Sequence, residues 1–570
     1  MAQALQRGSP SPEAALVDAA PWSALDLAVL AAASAVAALA VAFSFSWRML
    51  PAEDALMLMR YANHLAAGHG IVWNVGDHPV EGATDFLFLV ALAGWMKLTH
   101  LQAIISARLL LSACQVMGVA LLYIAARKIA GCNRWLAAVL AIYLALGPGV
   151  TQIANGFSGP FYSLMALTAW CFAISAALRH STLSRSIGFA AFALLTGLTR
   201  PDGVFLAFFM TCALAYFLRK ASRQIVFTTA AVFVFLGGAY FLWRVHYFGH
   251  LLPNPFYKKG GGHLYPSSLR VAVGNVFRLL MPFVPVYFAG ILAPLARRIT
   301  IFSLIPVIGF TSIWILLTSE NSTGMRFQYA VVPFALLSIA AIAPHLAAQM
   351  RQAGWNLRWQ PRGWVIAVLL LCITFTFKLY WRSAVEGPQL LGTGPYRIAV
   401  GLSKFADRNY TIATTEAGVV PYFSNWRAID AYGLNDEEIV HNPKGLTAEY
   451  LDKSRPAIIT LFMSPEDMAA YRRVWYGQAP LTYSLGHIPE EASYYAVSHG
   501  YVLAARWGPS PCAFNAWYVR RDLPDFDEIM AIIRQTPHFY PYGGGMAQNF
   551  LGPDPPTVCG DSQDVLGLHQ

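Results

Sequence analysis

PAEDALMLMRYANHLAAGHGIVWNVGDHPVEGATDF, residues 51–86, follows the first long apolar run and decides how the rest of the chain is read. Two adjacent carboxylates, Glu53 and Asp54, open a helix-like pattern whose apolar positions are Leu56, Met57, Met59 and Leu65. A Gly68-His69-Gly70 exit follows, and then Trp73, Asn74, Asp77, His78 and Glu81 crowd into a short polar segment. Acids set directly after a membrane span, at a helix start, lie at the water boundary, where they serve chemistry or merely cap the helix. Capping is the plainer reading of an isolated Glu-Asp pair.

The composition around this stretch is that of a polytopic membrane protein. The 570 residues are 56% hydrophobic and only 12% charged, with a mean hydropathy of +0.46, outside the soluble range. A net charge of +10 invites a nucleic-acid reading, but the distribution excludes it. Basic residues cluster between apolar runs, at Arg127/Lys128/Arg134, Arg179/Arg185, Arg219/Lys220/Arg223, Arg297/Arg298 and Arg351/Arg358/Arg362, in loops without Asp or Glu. That is the positive-inside signature, so these loops are expected to be cytoplasmic.

Apolar runs of spanning length lie at about 24–47, 104–126, 135–149, 159–178, 186–199, 203–218, 224–245, 277–296, 299–317, 328–348 and 364–381. The run at 84–99 is ambiguous. If it spans, the first loop cannot share a side with the C-terminal part while every basic loop stays cytoplasmic. Read as a surface or re-entrant helix within a first outer loop at 48–103, it leaves eleven spans, an N-terminus inside and a C-terminus outside. Residues 1–23 then form a disordered lead, 24–381 a helical membrane domain and 382–570 an extracytoplasmic mixed α/β domain, with strands expected at 411–415, 457–463, 501–506 and 516–520 and a loose tail over the last thirty residues. Cys512 and Cys559 fall in this outer part and are able to pair there. No His/Cys spacing points to a metal, and a divalent-cation requirement stays open.

The first loop's acidic pair, R-Y-A, G-x-G-hydrophobic-W-N and V-E-G-A-T resemble the first extracytoplasmic loop of the GT-C membrane glycosyltransferases that use polyprenyl-phosphate sugars, most closely the terminal arabinofuranosyltransferases of actinobacterial cell-wall assembly. Further motifs follow in the same order: T-R-P-D-G at Thr199–Gly203, the Gly249–Lys259 loop in the form G-x-x-L-P-N-x-F-Y-x-K, G-M-R-F around Arg326, and T-x-x-A-G-x-x-x-Y-x-S with D-x-x-G-L-N-D from Thr414 to Asp436. The chain departs from that pattern in having Glu53 where the family has Asp, Pro255 where it often has Thr, and Ser158-Gly159-Pro160-Phe161 where relatives carry G-x-E-T.

The resemblance implies an inverting transfer of a sugar, an arabinofuranosyl or related pentose unit, from a polyprenyl-phosphate donor to an envelope glycan, lipid or protein, at the outer face of a bacterial plasma membrane. Such a reaction needs a carboxylate for the acceptor's proton and cations for the leaving phosphate. Glu53 and Asp54 are the candidate bases; Arg200, Tyr257, Lys258 and Arg326 are candidate phosphate ligands. Substrate contacts are expected from Arg60, His69, Trp73, Asn74, Glu81, Asn254, Glu416, Asp430 and Asp436. The plainer alternatives are a headgroup anchor for Lys258, an Arg-Asp pair at the 200–202 corner, a structural His69, and turn-satisfying roles for the acids and amides of the C-terminal part. A flippase of lipid-linked sugars would place polar groups deep in several spans and open a path to both sides; here they gather at one face. A non-catalytic envelope assembly protein leaves the polar first loop without a purpose.

Overall fold

The computed structural model describes residues 22–45, 50–179, 181–259, 262, 264–318, 323–354, 394–463, 487–510 and 513–535. The expected 364–381 span, the tail and the Cys512–Cys559 pairing lie outside the described residues. Among the described residues, eight helical stretches are long and apolar enough to cross a membrane: 24–44, 103–128, 134–155, 159–178, 202–248, 266–292, 294–315 and 331–352. The stretch 202–248 turns at Arg219–Ser222, so it holds two of the expected runs, and Leu183–Thr199 is a shorter apolar helix. The chain is a multi-pass membrane protein, with large apolar side chains such as Leu39, Phe227, Phe235 and Leu242 facing outward where lipid would cover them.

Breaks in the bundle follow from local chemistry. Pro201 forces Arg200 into an extended conformation and ends the preceding helix. Pro266 sits in the first turn of Pro266–Leu280, a position that suits proline. That helix therefore starts well ahead of the expected 277. Phe86–Thr99 is a helix of 14 residues, a rise of about 21 Å, short of a hydrocarbon core of about 30 Å.

The helix Ala24–Ser44 begins with a capping box between Ser23 and Asp26. Asp26 is fully buried and paired with Arg127 and Arg134, each at 2.8 Å. These two basic residues therefore neutralise a buried carboxylate as well as marking a loop.

The C-terminal part carries a five-stranded mixed sheet: β1 Thr411–Thr414, β2 Arg427–Asp430, β3 Ile458–Met463, β4 Tyr501–Ser510 and β5 Ala513–Arg520. Its order is β2-β1-β3-β5-β4. Strand β1 pairs in parallel with β2 and β3, while β5 runs antiparallel to β3 and β4. Parallel strands deliver their following loops to one edge, where open α/β sheets build their sites. Here the loops after β1 and β2 meet the helix Glu53–Ala66. One hydrophobic core runs through that junction, joining Leu56, Met59, Tyr61 and Trp73 of the first loop to Val420, Trp426 and Trp517 of the sheet region. A second core fills the bundle, with Trp170 stacked on Phe302 at 4.7 Å.

Candidate active site

Helix Glu53–Ala66 starts without a side-chain cap of its own, which frees both leading acids for other partners. Successive helical residues point about 100° apart, and the two acids diverge accordingly. Glu53 Oε2 accepts from the backbone N–H groups of Gly418 and Val419, at 2.6 and 2.8 Å, and so caps the helix Val419–Ser424 of the C-terminal part. Burial pushes its carboxyl up to about 7. Glu416, close by, is pushed well above the usual carboxylate range by burial and by the neighbouring Glu53 and Asp54.

Asp54 instead lines a cavity of about 520 Å³, together with Asp85, Ser158, Arg200, Asp202, Thr318 and Arg326. It is ion-paired with Arg326. Arg200 holds Asp202 through two bonds, 2.9 and 3.2 Å, the corner pair anticipated as the plainer reading. The two guanidinium groups share an aromatic platform: Phe327 lies 4.8 Å from Arg326 and 5.4 Å from Arg200. Three buried donors on this wall, Arg326 Nε, Trp314 Nε1 and Thr318 Oγ1, have no hydrogen-bond partner among the described residues. Phe157, Phe205, Leu252, Phe256 and Leu317 make the remaining surface apolar. The cavity thus joins one accessible carboxylate and two cations to an oily trough.

Asp85 escapes the sequence reading because it looks like the end of the V-E-G-A-T segment. It accepts from Ser158, and burial raises its carboxyl above the usual range. Ser158 belongs to another segment, so this carboxylate is fixed at the wall by a contact across the chain.

Most of the other expected substrate contacts have structural duties. Arg60 is buried and donates to the carbonyls of Trp73 (2.9 Å), Trp426 (2.8 Å) and Pro421 and to Asn74 Oδ1; it clasps the first loop to the C-terminal part and lines no described cavity. Trp73 is buried beneath Arg60 at 4.9 Å, donates to Ala428 O and lines a second cavity. Asn74 bonds both backbone groups of Ala428. Asp430 accepts from the N–H groups of Tyr432 and Asn435 and from the Asn435 amide, a turn-satisfying role, and burial raises it to about 6. Glu81 is ion-paired with Arg244, and its carbonyl receives the N–H of buried Asn254. His69 is exposed on the glycine turn, away from both cavities.

Lys258 and Tyr257 do not line the cavity with Arg200 and Arg326. Lys258 is half-buried, and burial lowers its ammonium to about 8. Tyr257 packs against His250 and His441. Asp436 caps the helix Glu437–His441, receives the Tyr450 hydroxyl, and lines a second cavity of about 530 Å³ with Trp73, Asn74, Asp77 and His250. Gly82 lines the first cavity and lies so close to Asn435, which lines the second, that a methyl group there would overlap the Asn435 amide oxygen.

Residues 387–521 match a domain family of unknown function, DUF8728. No curated protein sequence matches the chain. Among solved structures the chain is similar to ArnT from Cupriavidus metallidurans bound to undecaprenyl phosphate, at 14% identity and a TM-score of 0.50, over 87% of this chain and 98% of that one. The apo state of the same protein matches at 13% identity and a TM-score of 0.50, over 84% and 97%. The archaeal oligosaccharyltransferase AglB from Archaeoglobus fulgidus, in complex with an inhibitory peptide and a dolichol-phosphate, gives 12% identity and a TM-score of 0.49, over 88% and 75%. Identities this low speak to the fold alone, and the fold is the GT-C type.

Proposed function

We propose, with the GT-C fold as premise, that this chain is a membrane glycosyltransferase that takes its sugar from a polyprenyl-phosphate donor. The observation that carries the reading is the single cavity in which Asp54 faces Arg200 and Arg326 beside an apolar trough. The trough suits a prenyl chain, and the two guanidinium groups suit a phosphate. The solved relative that holds undecaprenyl phosphate supports the same donor class.

In the proposed step the acceptor hydroxyl attacks the anomeric carbon from the face opposite the phosphate. The bond from that carbon to the phosphate oxygen breaks, the hydroxyl proton passes to Asp54, and the phosphate leaves with its charge on Arg200 and Arg326. One displacement inverts the centre. Because Arg326 is paired with Asp54, an entering phosphate competes for that guanidinium, so donor binding also uncovers the base. Glu53, held by two backbone N–H groups, positions rather than reacts. The sequence motifs favour an arabinofuranosyl or related pentose donor and an envelope glycan, lipid or protein acceptor. The basic-loop pattern favours a bacterial plasma membrane, with the N-terminus inside and the cavity and sheet region outside.

The test is transfer from radiolabelled polyprenyl-phosphate pentoses and hexoses to envelope acceptors by purified protein. Asp54→Asn is expected to lower the rate by about 10²- to 10⁴-fold, the usual worth of a positioned base, and Glu53→Gln far less. Wild-type rates from Asp54→Asn, or no transfer from any such donor, would overturn the proposal.

A further inference from the structure

The second cavity holds a group of side chains that the transfer reaction does not use. Glu437 and His441 are four residues apart on one short helix, a spacing that places both on one face. His250 reaches the same point from the turn after Gly238–Phe248, an element far away in sequence. One ligand atom from each of the three lies within 4.8 Å of the other two, and His250 Nε2 is in direct contact with Glu437 Oε1. The imidazoles of His250 and His441 stack at 4.5 Å. Tyr257 lies edge-on to both, at 6.3 and 4.8 Å, which limits their tilt.

We infer that His250, Glu437 and His441 form a binding site for a zinc-class divalent cation, a His₂Glu donor set whose fourth position opens on the cavity. Two imidazoles with one carboxylate suit a borderline metal such as zinc far better than magnesium or calcium, which prefer oxygen-rich sets. The surroundings have the right sign: the described cavity wall carries Asp77, Asp436 and Glu438 besides Glu437, and no Lys or Arg. Asp77 and Glu438 are balanced by Arg427 and Lys453. For Glu437 the described ion pair is with His250, whose imidazole balances it only when protonated.

The cation would fasten the segment 249–259 to the C-terminal part. That segment is a shared wall, because Leu252, Pro253, Pro255 and Phe256 line the first cavity while His250 lines the second. The site therefore acts on the shape of the neighbouring cavity and needs no part in the proton transfer.

The test is metal content of the purified full-length chain in detergent, stripped with chelator, reloaded with zinc and desalted. Wild type is expected to retain about one zinc per chain, with X-ray absorption showing nitrogen and oxygen neighbours at about 2.0–2.1 Å. His250→Gln/His441→Gln is expected to fall to the level of the stripped control. Zinc is expected to raise the melting temperature of wild type alone. His441 is exposed, so His441→Gln loses only its ring contacts with His250 and Tyr257 and serves if the double variant folds poorly; it too must lose retention. Equal zinc in wild type and either variant, or none retained by a folded wild type, would reduce the cluster to a His–Glu hydrogen bond and overturn the inference.

Discussion

Asp54 and Glu53 are one backbone step apart, and the division of labour between them is a matter of direction. The sequence offers two equivalent carboxylates, because their partners, Gly418 and Val419 for one and Arg326 for the other, lie hundreds of residues away. Chemistry at this scale is testable through Glu53. Its folded-state carboxyl titrates near 7, above the ordinary 4.5, chiefly because of burial. The folded chain therefore binds this proton more tightly than the unfolded chain does, and stability falls as pH rises from about 4.5 through about 7. Melting temperatures followed over that window should drop for wild type relative to Glu53→Gln, and parallel curves would refute the assignment. Arg60 gives a second prediction. Its replacement by Met strands the carbonyls of Trp73, Pro421 and Trp426, at about 1–3 kcal/mol for each buried orphan, and protease sensitivity between the first loop and the sheet region should rise.

At the scale of elements, the helix Glu53–Ala66 and the loops after β1 and β2 were readable as polar motifs but not as neighbours. β2, at four residues, was hidden within the polar motif that supplies it, whereas β1, no longer than β2, and the longer β3 and β5 stood out. Asp85 was hidden for a related reason, since its partner Ser158 belongs to another segment. His250 and the pair Glu437/His441 show the same limit: no spacing along the chain announces a cluster assembled across it. Close packing between elements supplies a further test. Gly82→Ala should drive Asn435 away from Asp430, costing about 1–3 kcal/mol as other overpacked sites do. It should also merge or distort the two cavities, so that transfer falls more than the melting temperature alone would suggest. A Gly82→Ala protein with unchanged stability and rate would mean that this wall yields freely.

Across the whole molecule, composition and the rhythm of apolar runs were enough for the class of fold. The 14% identity shared with ArnT over 87% of the chain shows how little of that fold resides in particular side chains. What composition could not convey is which charges the bundle buries. Asp26, enclosed with Arg127 and Arg134, is one, and Asp26→Asn should cost about 3–5 kcal/mol by leaving two cations without their counter-charge, read as a loss of folded protein in detergent. The union of first loop and sheet also has a consequence in time. Glu53 and the backbone groups it caps are 365 residues apart, so at about 5–20 residues per second a ribosome needs roughly 20 to 70 s to supply the second after the first. Throughout that interval Glu53 lacks the backbone groups it caps, and Arg60 has only its partners within the first loop, Trp73 and Asn74. The order of synthesis thus leaves the first loop without its cover until the C-terminal part is made.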